Sequence, residues 1–117
     1  MRFYFTKAER ILKRSEFLEI SKFGKKTQNR HFVAIFSPGR YQRTRLGVTV
    51  ARKVGNATTR NRIKRFSRES FRLNRHSITG YWDINIIAKK KASELTSKQA
   101  FFSLQNIFNS ISRSQGN

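Results

Sequence analysis

An α+β domain is the fold class this sequence predicts, and three observations predict it. Segments with the period-two alternation of strands are interleaved with segments carrying apolar residues at helical spacing. Pro38-Gly39, Gly55-Asn56 and Thr79-Gly80 punctuate the chain at intervals suited to short elements. Eleven Phe among 117 residues supply large apolar units for one small core, although only 37% of the chain is hydrophobic. No internal repeat and no dividing linker appears, so the reading is a single domain over residues 1–117.

The first element is predicted as a helix from about Ser15 to Phe23. Ser15 suits the N-cap, Glu16 and Glu19 suit the first turn, and Gly24 closes the end. Phe17, Ile20 and Phe23 then share a face. Before it, Thr6 and Glu9 have capping-box spacing for a short turn through Ile11. His31 to Ser37 reads as a strand rich in Phe, Val and Ile, followed by the Pro38-Gly39 turn. Arg43 to Arg52 is the next strand. Leu46, Val48 and Val50 point one way and the smaller Gly47, Thr49 and Ala51 the other. That second face leaves backbone accessible to something lying across the sheet.

Ala57 to Asn74 reads as a helix. Arg60, Lys64, Arg65, Arg68 and Arg72 fall within an arc of roughly 140°. Ile63, Phe66, Ser70 and Leu73 fall on a separate arc of roughly 80°, the expected core face, with Arg62 just beyond it. Trp82 to Ala88 alternates as a strand, and Lys89-Lys90-Lys91 follows. Ser97 caps a final helix to about Ser112, with Phe101, Leu104, Ile107, Phe108 and Ile111 at helical spacing. The tail from Arg113 to Asn117 is expected to fray. The predicted order is α-β-β-α-β-α, with helices over a small sheet.

Charge narrows the function. Lys and Arg total 26 against six acidic residues, a formal net charge of +20. Solubility alone asks for a net charge of only roughly 2–8 on a small domain. Five basic side chains fall between Arg60 and Arg68. A helix that basic repels itself unless a polyanion neutralises it, and the polyanion with regularly spaced charge is a nucleic-acid backbone. There is no Cys, which excludes disulfides and thiolate metal sites. No segment approaches the ~20 apolar residues needed to span a bilayer. Met1-Arg2-Phe3-Tyr4-Phe5 lacks the apolar core of a signal peptide. The expectation is a cytoplasmic protein.

Protein-only RNA hydrolysis would need acid–base pairs or metal-binding carboxylates. Glu9, Glu16, Glu19, Glu69, Asp83 and Glu94 are scattered, and the helix dipole accounts for Glu16 and Glu19. His31 and His76 are far apart in sequence, and His31 reads as a surface or RNA-stacking residue. No phosphate-binding glycine loop is present. No catalytic or metal-binding residue is therefore assigned, and the reactive groups are expected on a partner.

The stretch Arg52-Lys53-Val54-Gly55-Asn56-Ala57-Thr58-Thr59-Arg60-Asn61-Arg62-Ile63-Lys64-Arg65 resembles the signature of the protein subunit of bacterial ribonuclease P. That signature is a basic strand end, a Gly-Asn-Ala turn and a helix opening with Arg-Asn-Arg. Leu12 to Phe17, Arg30 to Val33, Leu46 to Val50, Asp83 to Ala88 and the closing helix extend the resemblance over about residues 9–112. It implies the fold of the second domain of ribosomal protein S5, with a left-handed βαβ crossover that the usual right-handed rule would not predict. It implies a subunit of a ribonucleoprotein endonuclease that removes the 5′ leader from precursor tRNA. The partners are then ribonuclease P RNA and precursor tRNA, with no membrane and no obligate protein partner. The cofactor is Mg2+, held by the RNA.

Carried onto this chain, the resemblance assigns Arg52, Lys53, Asn56, Arg60, Asn61, Arg62, Lys64, Arg65 and Arg68 to the catalytic RNA. It assigns Phe17, Phe32, Thr49, Ala51 and Lys90 to the leader. Members often carry a second aromatic one turn after Phe17, where this chain has Ser21, and some have Tyr where it has Ile35. Both departures weaken leader stacking and leave Phe17, Phe32 and Phe36 as candidates, with core packing the competing role for each. Size, charge and fold class equally suit a non-catalytic RNA-binding module such as a small ribosomal protein; the ordered motif argues against it. A membrane-active cationic helix would need Ile63, Phe66 and Leu73 outside the core.

Overall fold

The computed structural model describes residues 9–11 and 13–114. Met1 to Phe5, Thr6, Leu12 and the tail beyond Ser114 lie outside the described residues. The elements are α1 (Arg14–Phe23), β1 (Lys25–Gln28), β2 (Phe32–Pro38), β3 (Arg45–Thr49), α2 (Ala57–Asn74), β4 (Trp82–Ala88) and α3 (Ser97–Arg113). Short 3₁₀ turns at Arg52–Val54, Arg75–Ser77 and Lys90–Glu94 link them. The class is α+β as predicted, with one strand more.

That strand is β1, antiparallel to β2 in the register Lys25↔Phe36 to Gln28↔Val33. Lys25-Lys26-Thr27-Gln28 has no apolar alternation, because an edge strand needs only the free backbone of its neighbour. Its lysines guard the open edge against further pairing. The sheet order is β1-β2-β4-β3. β4 pairs antiparallel with β2 and parallel with β3, so β3, α2 and β4 form a βαβ unit between adjacent strands. β3 is shorter than predicted because the chain after Val50 coils into the Arg52–Val54 turn. Arg10 and Ile11 lie along the outer edge of β3, with the Ile11 N–H donating to Leu46 O at 3.0 Å; most of the expected turn before them lies outside the described residues.

The two faces of the sheet differ. Phe32, Ala34, Phe36, Leu46, Ile84, Ile86 and Ala88 share the core with α2 and α3. Phe71 meets Phe108 with ring centroids 6.0 Å apart, Phe66 meets Phe101 at 6.3 Å, and Phe36 meets Trp82 edge-on at 5.3 Å. Along α2 the buried residues are Ile63, Phe66, Ser67, Ser70 and Phe71. Leu73 is exposed, contrary to expectation, because α3 takes the side of α2 that bears Phe71. Ser67 tolerates burial by donating its hydroxyl to Ile63 O at 2.9 Å. α3 is capped by Thr96, not Ser97. Thr96 Oγ1 accepts from the Gln99 N–H at 3.2 Å and Gln99 Oε1 accepts from the Thr96 N–H at 3.0 Å, a reciprocal capping box.

The opposite face carries only α1. Ser15 is not its N-cap; the helix starts at Arg14 after Lys13, with no side-chain cap. Ile20 is buried, Phe17 is half-buried and Phe23 is exposed. Glu16, one turn before Ile20, takes the inward position that Phe23 was expected to share. The reason lies beneath it: Arg45 is 6% exposed and forks onto Asp83, with Nε 3.0 Å from Oδ1 and one terminal nitrogen 3.0 Å from Oδ2. The same nitrogen is 2.8 Å from Glu16 Oε2. The hydrogen bond from Arg45 holds the Glu16 carboxyl below its ordinary value. Arg40 adds ion pairs to Glu16 and Glu19. Carboxylates that look scattered in sequence therefore converge on one buried cation that fastens α1 to the sheet.

Candidate nucleic-acid interface

Two basic or aromatic surfaces meet at β3. The first is the N-terminal half of α2. Its start is set by Asn56, whose side-chain oxygen accepts from the Thr59 N–H at 2.9 Å. Arg52, Lys53, Asn56, Asn61 and Arg65 are exposed, while Arg60, Arg62, Lys64 and Arg68 are half-buried. Arg62 donates to Ser93 O at 2.8 Å, tying α2 to the Lys90–Glu94 turn. That turn packs on the Arg52–Val54 turn, so Lys90 joins Arg52 and Lys53 past the C-terminal ends of β3 and β4.

Among the described residues no ion pair neutralises Arg60, Arg62, Lys64, Arg65 or Arg68. Burial, and then the charge of Arg10, push the Arg68 guanidinium below its ordinary value. The Nε–H groups of Arg60 and Arg62 are buried and meet no acceptor among the described residues. A buried donor left unmet costs about 1–3 kcal/mol, so these two side chains are held in place at a cost to the fold. Arg62 points to the 3₁₀ turn, whereas Lys64 lies on the other side, toward α1.

The second surface is a groove of about 600 Å³ between α1 and the sheet. Arg14, Phe17, Leu18 and Ser21 form its α1 wall, Thr49, Asn85 and Ile87 its floor, and Lys64 of α2 closes it. The edge of the Phe17 ring abuts Gly47. A Cβ placed on Gly47 would overlap that ring, standing 2.6 Å from Cζ, so only glycine admits the aromatic here. Thr49 Oγ1 and Asn85 Oδ1 are 3.1 Å apart across the floor.

The predicted leader residues divide accordingly. Phe17 and Thr49 line the groove. Phe32 and Phe36, 0% and 1% exposed, do not. They point to the core face, because β2 alternates and it is Val33 and Ile35 that share the groove's side. Ala51 and Lys90 are exposed but follow the strand ends, beyond the residues that line the groove. Asn85, Ile87, Arg14 and Leu18 were missed. The parity of Asn85 and Ile87 opposite Trp82 and Ile84 was the available signal.

His31 and His76 are not brought together. His31 O accepts from the Lys89 N–H at the C-terminal end of β4, and His76 lines a cavity with Gly80 and Tyr81 at the N-terminal end. Among the described residues no three His, Asp or Glu side chains cluster as a metal site, and no helix is long and apolar enough to cross a membrane.

Comparison with known proteins agrees with this geometry. The ribonuclease P family profile matches residues 5–112. The ribonuclease P protein component of Desulfatibacillum aliphaticivorans is 48% identical over 110 residues, covering 94% of this chain and 93% of that one. That of Thermotoga maritima is 41% identical over 113 residues, covering 96% and 97%. The solved RNase P protein of Thermotoga maritima superposes with a TM-score of 0.81 at 39% identity, over 88% of this chain and 97% of the other. The Staphylococcus aureus RNase P protein gives 0.82 at 38%, over 88% and 94%. A basic helix opening with Arg-Asn-Arg, its α+β scaffold and these relatives along nearly the whole length place the chain in the ribonuclease P protein family, as the RNA-binding component that joins ribonuclease P RNA in an endoribonuclease of tRNA processing.

Proposed function

We propose that the chain bridges two RNAs: α2 docks the catalytic RNA, and the groove under α1 holds the single-stranded 5′ leader of precursor tRNA. The observation that carries this reading is Lys64, a residue of the basic helix that is also a wall of the groove. One surface grips phosphates; the adjoining one offers an aromatic face and short polar side chains. A base stacked on an aromatic side chain contributes about 1–3 kcal/mol regardless of its identity. Phe17 is half-buried, with its ring edge against Gly47, and it borders the groove. It serves as the stacking platform, without the second aromatic that Ser21 replaces.

No protein group is required for bond cleavage in this scheme. Mg2+ on the RNA subunit supplies the Lewis acid and the activated water. The chain's part is to screen repulsion between two polyanions, add leader contacts, and lower the Mg2+ requirement by replacing counterions with fixed cations.

The test is 5′-leader cleavage at low Mg2+ by ribonuclease P RNA, with and without the protein. Cleavage by the mixture and by neither component alone supports the reading; cleavage by the protein alone overturns it. Arg60→Ala and Arg62→Ala are each expected to weaken assembly with the RNA and to reduce the steepness of its salt dependence by about one phosphate contact. An unchanged slope in filter binding would count against the α2 assignment. Phe17→Ala is expected to lower affinity for precursor tRNA by about fivefold or more while sparing mature tRNA. Equal losses for both tRNAs would remove the leader from the groove.

A further inference from the structure

One cavity is not accounted for by either surface. It lies between the β1–β2 turn and the first half of α3, with a volume of about 570 Å³. β1 is the edge strand farthest from β3, and α3 packs the core face, so the cavity is remote from the groove under α1. Phe102 stands in its wall and is 68% exposed, although Phe101 and Phe108 on the same helix turn inward. Arg30 from the turn and Lys98 from α3 are both exposed on its rim. No carboxylate lines it.

The floor is polar and built. Asn29 Nδ2 donates to both Ser103 O and Ser103 Oγ at 2.9 Å, and His31 Nδ1 lies 3.0 Å from Ser103 Oγ. Asn29 Oδ1 accepts from the N–H groups of His31 and Phe32, and Lys89 Nζ reaches Asn29 O at 2.7 Å. The turn is thus fixed to α3 and to the end of β4. Burial pushes the His31 imidazole below its ordinary value. The charges of Arg30, Lys91 and Lys89 act in the same direction, and Glu94 opposes them. The ring is therefore neutral at pH 7, a flat group that makes hydrogen bonds without charge.

We propose that this cavity is a second nucleotide site, taking an unpaired RNA base against Phe102 with its flanking phosphates between Arg30 and Lys98. An exposed ring flanked by two cations and free of lining carboxylates matches a base and its phosphates. It is a poor match for an apolar protein side chain, which would leave both cations without a counterpart. Base stacking tolerates any sequence, so the site recognises single-strandedness. The site is independent of the leader groove. It would let the protein hold a second unpaired segment on the far side of the sheet from Phe17.

The experiment is a backbone amide NMR titration of the whole protein with a short oligouridylate. Shifts at His31, Phe102 and Ser103 are expected to saturate alongside those of the groove. Phe102→Ala is expected to weaken that set by about fivefold or more and leave the groove set unchanged. Phe102 is exposed, so the variant should keep its fold, which its unperturbed core amides would verify. Lys98→Glu provides a second variant and is expected to abolish the same shifts. Shifts confined to the groove, or shifts at α3 that survive both substitutions, would overturn the proposal. So would a Phe102→Ala variant whose only defect is lost self-association, since the cavity would then be a protein contact.

Discussion

Replacing Arg45 with Met is expected to cost about 3–5 kcal/mol of stability at pH 7, a large fraction of the roughly 5–15 kcal/mol of a domain this size. Arg45 is buried and is the cation shared by Asp83 and Glu16. Removing it leaves the buried Asp83 without its ion pair and Glu16 with only the longer contact to Arg40, which is the costly way to break such a network. Arg45→Lys keeps the charge but loses the planar fork, and should fall between the two.

The pH dependence separates pairing from simple loss of packing. Arg45 lowers the Glu16 pKa in the folded state. A depressed carboxyl contributes stability that is present above the unfolded carboxylate pKa, about 4.3 for Glu, and lost as pH falls through the folded value. Wild type should therefore lose this contribution on acidification below about pH 4, and the gap to Arg45→Met should narrow. Urea unfolding at pH 7 and near pH 3 would show it. A gap that stays constant would mean that the loss comes from a cavity and not from charge. Because the same network anchors α1, Arg45→Met should also blunt the preference for precursor over mature tRNA.

Gly47→Ala is expected to do the reverse: little harm to stability and a large effect on the leader. The new methyl would meet the Phe17 ring and, at 3.4 Å, Ile11 Cβ. Overpacking costs about 1–3 kcal/mol in a closed core. Here the ring borders open groove and can swing aside, which places the cost near the lower end. What is lost is the platform. The loss of precursor discrimination should match that of Phe17→Ala, about fivefold or more, and the double variant should add nothing further. An additive double variant would show that Gly47 acts through something other than the ring. Thermal melts alongside tRNA binding would separate the two effects.

Most of the scaffold was legible because its elements announce themselves locally. α2 runs from Ala57 to Asn74 and β4 from Trp82 to Ala88, as their periodicities predict. The basic residues of α2 were equally plain, since one charged flank on one helix is a property of spacing alone. β1 was not legible, because four polar residues become a strand only when β2 offers an edge. Phe32 and Phe17 could not be sorted by sequence either. Both are aromatic and both were candidates for the leader; strand parity and the α1 contact put one in the core and the other against Gly47.

The sequence by itself determined the class of partner and the extent and charge of the basic helix. Net charge, the Gly-Asn-Ala turn and the Arg-Asn-Arg opening are encoded within a short run of chain, where local geometry suffices. Only the tertiary structure decided where α1 sits and which aromatic faces solvent. It also decided how Glu16, Arg45 and Asp83, separated by 29 and 38 residues along the chain, close on one another. Those outcomes depend on long-range pairing. A buried cation or a close ring contact is specified jointly by elements that share no local signal.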